Sequence, residues 1–89
     1  MKNGWHYYSN TQAHYFNNIL HNDTGPAIIT INGSKYWYKH DKLHREDGPA
    51  KIYFDGLEAW YYDGEYLGDS FKGYTQQDFE IWKRFKAFI

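Results

Sequence analysis

The sequence predicts a mainly β fold of the α+β class: an antiparallel sheet of β-hairpins in units of about 23 residues, followed by one C-terminal α-helix. Three observations carry this. The phrase LHNDTGPA, from Leu20 to Ala27, returns one unit later as LHREDGPA, from Leu43 to Ala50; periods of roughly 20–50 residues are the mark of repeat architectures. Short runs rich in β-formers alternate with Asn-Gly and Asp-Gly pairs. From Thr75 onward the apolar residues change to helical spacing.

Shifted by one unit, WYKHDKLHREDGPA from Trp37 falls on HYFNNILHNDTGPA from His14, and AKIYFDGLEAWY from Ala50 falls on AIITINGSKYWY from Ala27. GWHYYSN from Gly4 reads as a degraded first copy, and WYYDGEYLG from Trp60 as the half-unit where the pattern stops. The units therefore span Gly4–Gly68 within a single domain, residues 1–89.

Each unit reads as strand, tight turn, strand, second turn and a loop through His-x-x-x-Gly-Pro-Ala. Ala27–Ile31 and Ala50–Phe54 are the first strands, and Lys35–Lys39 and Glu58–Tyr62 the second. Asn32-Gly33 and Asp55-Gly56 suit the centres of two-residue type I′ turns, in which both residues need positive φ. Asn17-Asn18, His40-Asp41 and Asp63-Gly64 take the matching second-turn positions. Pro26 and Pro49 precede strand entry, where a missing N–H costs little.

Alternation places Ala27, Ile29 and Ile31 on one side, with Ala50, Ile52 and Phe54, and this is the expected core face. Ile28, Thr30, Lys51 and Tyr53 point the other way. In the second strands, Tyr36, Tyr38, Ala59 and Tyr61 share one face; Trp37, Lys39, Trp60 and Tyr62 share the other. Both carry aromatics, so the pattern leaves the inner face open. In the tail, Thr75 and Asp78 form an approximate capping box. Phe79, Trp82, Phe85 and Phe88 or Ile89 recur at helical spacing, giving a helix over Gln76–Phe88. Its expected role is to cap the open end of the sheet; docking a partner is the alternative.

Composition sets further bounds. A chain of 89 residues without cysteine has no disulfides or thiolate metal sites, and must rely on its aromatics, 22% of residues. A net charge of −1 gives no basis for a nucleic-acid partner. There is no apolar run long enough to span a membrane, and the N-terminus lacks the apolar core of a signal peptide. The expected location is cytoplasmic.

His21 and His44 hold corresponding places, which favours a structural role over metal binding. His40 and His44 are four apart, but in a turn and loop rather than on a helix, so zinc-helix spacing does not apply. Glu46 and Asp47 stand near Arg45, yet no nucleophile or phosphate loop accompanies them; no catalytic residue, metal or cofactor is expected. The run SKYWYKHDKLHR from Ser34 interleaves Lys35, Lys39, Lys42 and Arg45 with Tyr36, Trp37 and Tyr38. Rings between cations can hold an anionic small molecule, and Tyr, Trp and Arg are favoured at protein-binding hot spots. The ligand- or partner-binding candidates are Lys35, Trp37, Lys39, His44, Arg45, Trp60 and Trp82.

The stretch WYKHDKLHREDGPAKIYFDG resembles MORN-type repeats, which share the period, the aromatic pair, the glycine turn and the His and Gly before a strand ending in Asp-Gly. It departs from them in having His-x-x-x-Gly-Pro-Ala in place of His-Gly-x-Gly. It is closer to the MORN-like variant WYxxGxLHRxDGPA of small phage and bacterial proteins, commonly followed by a short helix. The resemblance implies a hairpin sheet serving as an interaction scaffold, with a phage-encoded inhibitor of a host enzyme or antiviral defence complex as the expected role. A host-cytoplasmic location and a protein partner follow from it, with self-association into a homo-oligomer as a variant. The runner-up is a protein that sequesters a nucleotide-like small molecule.

Overall fold

The computed structural model describes residues 1–88; Ile89, the alternative last apolar position of the helix, lies outside them. The strands are β1 (Gly4–Tyr7), β2 (Thr11–Phe16), β3 (Ile19–Leu20), β4 (Ile28–Thr30), β5 (Lys35–Tyr36), β6 (Tyr38–Lys39), β7 (Lys42–Leu43), β8 (Lys51–Ile52), β9 (Glu58–Tyr62) and β10 (Glu65–Asp69). A 3₁₀ turn over Ser70–Lys72 leads into α1 (Gln76–Lys86). All pairings are antiparallel, in the order β1-β2-β4-β5-β8-β9-β10, with β3 extending the ladder on β2 and β6-β7 forming a small ladder of their own. The fold is thus mainly antiparallel β with one C-terminal helix.

Turn chemistry departs from the sequence expectation in a definite way. The two-residue turns with both φ values positive fall at Asn17-Asn18, His40-Asp41 and Asp63-Gly64, not at Asn32-Gly33 and Asp55-Gly56. At the latter only the glycines are left-handed, φ 93° and 90°. Gly33 N–H donates to the Thr30 carbonyl and Thr30 N–H to the Ser34 carbonyl; Gly56, Tyr53 and Leu57 repeat the pattern. That is a type I turn closed by a glycine bulge, which needs one left-handed residue rather than two. The centres are therefore Ile31-Asn32 and Phe54-Asp55. As a result Ile31 and Phe54, expected in the core, stand at turn tips, 81% and 67% exposed.

Ala27 and Ala50 are fully buried, as the alternation expects, while Ile29 and Ile52 are half-buried. Both isoleucines lie in one row across the strands with Gln12, Lys35 and Glu58, on the same side of the sheet. The opposite side carries the row Ala13, Ile28, Tyr36, Lys51 and Ala59. Trp60, at 2% exposure, settles which side is covered. Its indole N–H donates to Gln76 Oε1 at 2.9 Å, and its ring packs 5.3 Å from Tyr74. Tyr62, on the same side, meets Trp82 at 5.3 Å.

α1 lies over this end of the sheet. Thr75 and Asp78 make the reciprocal capping box, Asp serving where Glu or Gln is usual. Phe79 is fully buried and stacks near Trp82, which is half-buried, whereas Phe85 is 68% exposed. The apolar stripe is therefore inside for its first turns only. Gly68 lets the segment before the helix approach: a side chain there would collide with the Tyr74 ring. The molecule measures 38 × 30 × 17 Å. With layers about 10 Å apart, that thickness holds the sheet and one covering layer.

Phe79→Ala should cost about 3–5 kcal/mol, the usual toll of emptying a packed aromatic site. Phe85→Ala should stay within about 0.5 kcal/mol. Urea melts of both variants at several protein concentrations check this; equal losses would contradict the one-sided burial of the stripe.

Candidate functional site

On the covered side, the two Gly-Pro-Ala loops leave the sheet and fold back on it. Each begins with a buried histidine. His21 Nδ1 accepts the His40 N–H at 3.0 Å, and His44 Nδ1 accepts the Asp63 N–H at 2.9 Å. The donors are the first residues of the left-handed turns. At the other ring nitrogen, His21 Nε2 meets Asp23 Oδ1 at 2.9 Å and His44 Nε2 meets Glu46 Oε1 at 3.1 Å. The neutral ring protonated on Nε2 satisfies both bonds together. At the corresponding turn nearer the N-terminus, Asn3 Oδ1 accepts the Asn17 N–H at 2.9 Å. The second turn residues pair as well: Asn18, Asp41 and Gly64 donate to the carbonyls of Lys2, Leu20 and Leu43. No group of three or more His, Asp or Glu side chains among the described residues could hold a metal ion.

The next loop residue braces the loop. Asn22 Nδ2 donates to the Pro26 carbonyl at 3.0 Å, and Arg45, which follows His44 as Asn22 follows His21, donates to the Pro49 carbonyl at 3.1 Å. Arg45 also lies 4.0 Å over the Trp37 ring and donates through Nε to Asp47 Oδ1 at 3.0 Å. That bond holds the Asp47 carboxyl below its ordinary range. The guanidinium runs so close to Gly48 that a Cβ there would meet it at 3.0 Å.

Trp37, Lys39, His44 and Arg45 are brought together around one open cleft of about 480 Å³. Asp23, Glu46 and Asp47 line it too, so the cations share it with three carboxylates. A second cleft of about 610 Å³, between Arg45 and the segment leading into α1, is lined in part by Trp60 and Gln76. Lys35 stands exposed away from the first cleft, Trp60 is buried under the helix, and Trp82 is packed on Tyr62.

The other side of the sheet carries a set of residues that the candidates did not include. Tyr36, Tyr53 and Tyr61 surround Lys51, whose Nζ lies 5.7, 6.0 and 5.3 Å from the three ring centroids. All four are half-buried, as is Tyr38 in the neighbouring strand. Tyr61 meets Tyr66 edge-on at 5.4 Å, and Tyr36 meets Tyr53 at 6.0 Å. These are contacts between neighbouring strands of one face, whereas the helix and loops lie on the opposite side. Part of the signal was available in the alternation, which put Lys51 with Tyr53 and Tyr36 with Tyr38 and Tyr61; the register across strands joins the two sets. What hid it was that aromatics stand on both faces of the second strands, so the pattern did not join these tyrosines to Lys51.

At the end of this face the Tyr66 hydroxyl donates to Asp69, whose carboxylate also caps the 3₁₀ turn through the Lys72 N–H at 3.0 Å. The bond to Asp69 pushes the Tyr66 phenol up to about 12. The same bond holds the Asp69 carboxyl below its ordinary range.

In comparisons with protein-family models, curated proteins and solved structures, none matches this chain. No helix among the described residues is long and apolar enough to cross a membrane.

Two outcomes test this geometry. His44→Ala leaves the Asp63 N–H without its acceptor and should destabilise by about 1–3 kcal/mol, with faster hydrogen exchange at the Asp63 amide. His21→Ala should do the same at His40; unchanged exchange at both amides would contradict the bonds.

Asp69→Asn should bring the Tyr66 phenol back toward the ordinary value of about 10, read by NMR of labelled tyrosine ring carbons. Asp69 also has a sign on the acid side. Its folded value lies below the unfolded one of about 3.9, so its contribution is present above that pH and is lost as pH falls through the folded value. The Asn variant should lose that part of the acid dependence of melting.

Proposed function

We propose that this chain is a small non-enzymatic protein-interaction module, built of MORN-like hairpin units, that binds a protein partner through its tyrosine-lined sheet face. The observation that carries the reading is the one-sided cover: loops and helix pack on one face, while the half-exposed tyrosines occupy the other. Such rings supply large contact area at low entropic cost, which suits a hot spot. The exposed turn tips Ile31 and Phe54 border the sheet and add apolar surface beside it.

The unit reading is supported by residues at equivalent positions of successive units with matching partners: His21 and His44, Asn22 and Arg45, Asp41 and Gly64. The resemblance to phage and bacterial repeat proteins suggests an inhibitor of a host enzyme or antiviral defence complex as the biological role. The runner-up, sequestration of a nucleotide-like molecule at Trp37, Lys39 and Arg45, is less favoured. Three carboxylates share that cleft, and the Arg45 guanidinium already covers the Trp37 ring and braces its loop.

Affinity capture from a bacterial lysate tests the reading. Threonine keeps the β preference of a strand, so Tyr53→Thr and Tyr61→Thr should melt like wild type within a few degrees. Capture should weaken by about 30-fold or more for the pair, the mark of a hot spot worth about 2 kcal/mol. Arg45→Ala should leave capture unchanged. Capture indifferent to both tyrosines overturns the reading, and a nucleotide that raises the melting temperature by several degrees moves the function to the Trp37 cleft.

A further inference from the structure

Lys51 is set apart from the other cations of this chain by its place among the tyrosines. It is half-buried in the middle of the tyrosine face, in the row Ala13, Ile28, Tyr36, Lys51 and Ala59. Arg45 pairs with Asp47, and Lys83 with Glu80. Lys51 has no carboxylate within ion-pair distance among the described residues. The acid at the end of the same face, Asp69, is engaged by the Tyr66 hydroxyl and the Lys72 N–H.

The architecture does not require a charge at this position. Its counterpart in the preceding unit is Ile28, in the adjoining part of the same row. An isoleucine therefore fits the sheet there, and the ammonium is an addition to it. Burial alone would lower the Lys51 amine, but the neighbouring phenols of Tyr61, Tyr53 and Tyr38 carry it above its ordinary value. It is an ammonium at neutral pH.

We propose that Lys51 reads an acidic side chain: it receives the carboxylate of an Asp or Glu in an extended segment of the partner protein laid across the tyrosine face. This rests on the docking role of that face and adds the chemistry of what docks. A cation covered on docking demands a counter-charge, and the partner supplies it. The tyrosine hydroxyls around it can donate to the same carboxylate. A single ammonium without flanking arginine suits a singly charged group, whereas phosphate and nucleic-acid sites gather several cations or an arginine fork. Ring distances of 5.3–6.0 Å from Nζ compare with the spacing of about 6.5–7 Å between residues i and i+2 of an extended chain. The acid should therefore be flanked, two positions away on either side, by apolar or aromatic residues that lie on the rings.

A displayed library of random linear dodecapeptides, selected on the full chain, tests this. The expected result is enrichment of Asp or Glu with apolar residues at −2 and +2. The enriched peptide should bind Lys51→Met at least tenfold more weakly by fluorescence polarisation. Lys51→Glu should redirect selection toward Lys or Arg. The Met variant, resembling Ile28 in character, keeps the test open should the charge reversal fail to fold. Peptides that depend on Tyr53 and Tyr61 but show no acid preference, or bind Lys51→Met as well as wild type, overturn the Lys51 assignment and leave the docking face standing. No enriched peptide, or none that depends on the tyrosines, overturns both. Displacement of the selected peptide by inorganic phosphate at lower concentration than by acetate reassigns the centre to a phosphate-bearing ligand and overturns the proposal.

Discussion

Much of this structure depends on one hydrogen-bond requirement. The first residue of each left-handed two-residue turn directs its N–H away from its own hairpin, and that donor needs an acceptor elsewhere. His21 and His44 supply it from the loop behind; at the N-terminal end Asn3 supplies it instead. An acceptor fixed in this way must sit on a loop that leaves the sheet after the preceding strand. The loop must then turn back sharply, which is the work of Gly-Pro-Ala. Returning, it seats Ala27 and Ala50 so closely that both are fully buried. The repeated phrase is thus the sequence form of a bond between neighbouring hairpins.

Stability is distributed accordingly. Among the described residues the buried apolar side chains are largely alanines, Ala13, Ala27, Ala50 and Ala59, which individually remove little area from water. Close backbone approach and satisfied polar groups must do what bulk side chains do elsewhere. No buried side-chain nitrogen or oxygen among the described residues lacks a partner, as such an interior requires. The large apolar contribution is concentrated at the C-terminal end, where Trp60 and Phe79 lie between sheet and helix.

The legible parts of the sequence were those with a local cause. The hairpin strands, the helix and its Thr75–Asp78 cap follow from period and capping chemistry that residues carry with them. The turns were legible in place but not in type, because Asn-Gly and Asp-Gly suit both a two-residue turn and a glycine bulge. The choice between these is made by pairing across strands, and it moved Ile31 and Phe54 from core to surface. The inner face was legible in the first strands, where the side of Ala27, Ile29, Ala50 and Ile52 is the covered one, but not in the second strands. Tyrosine and tryptophan both read as core on a hydropathy pattern, yet here Trp60 and Tyr62 face the covered side while Tyr36 and Tyr61 face the open one. What separates them is the placement of the loops, a property of the whole chain. Lys51 was missed for the same reason: as one lysine in a strand it looks solvated, and only the assembled face rings it with phenols.

With a single covering layer, the histidine bonds, loop braces and helix contacts all lie on one side of the sheet, and substitutions on the opposite side leave them untouched. Sites without shared partners tend to contribute independently. Surface chemistry can therefore be rewritten on the tyrosine side with little penalty to folding, down to the floor set by the buried Ala13 and Ala59. The pair Ile28 and Lys51 shows both an apolar and a charged residue accommodated in that row. A fold divided in this way keeps its identity while its address is edited.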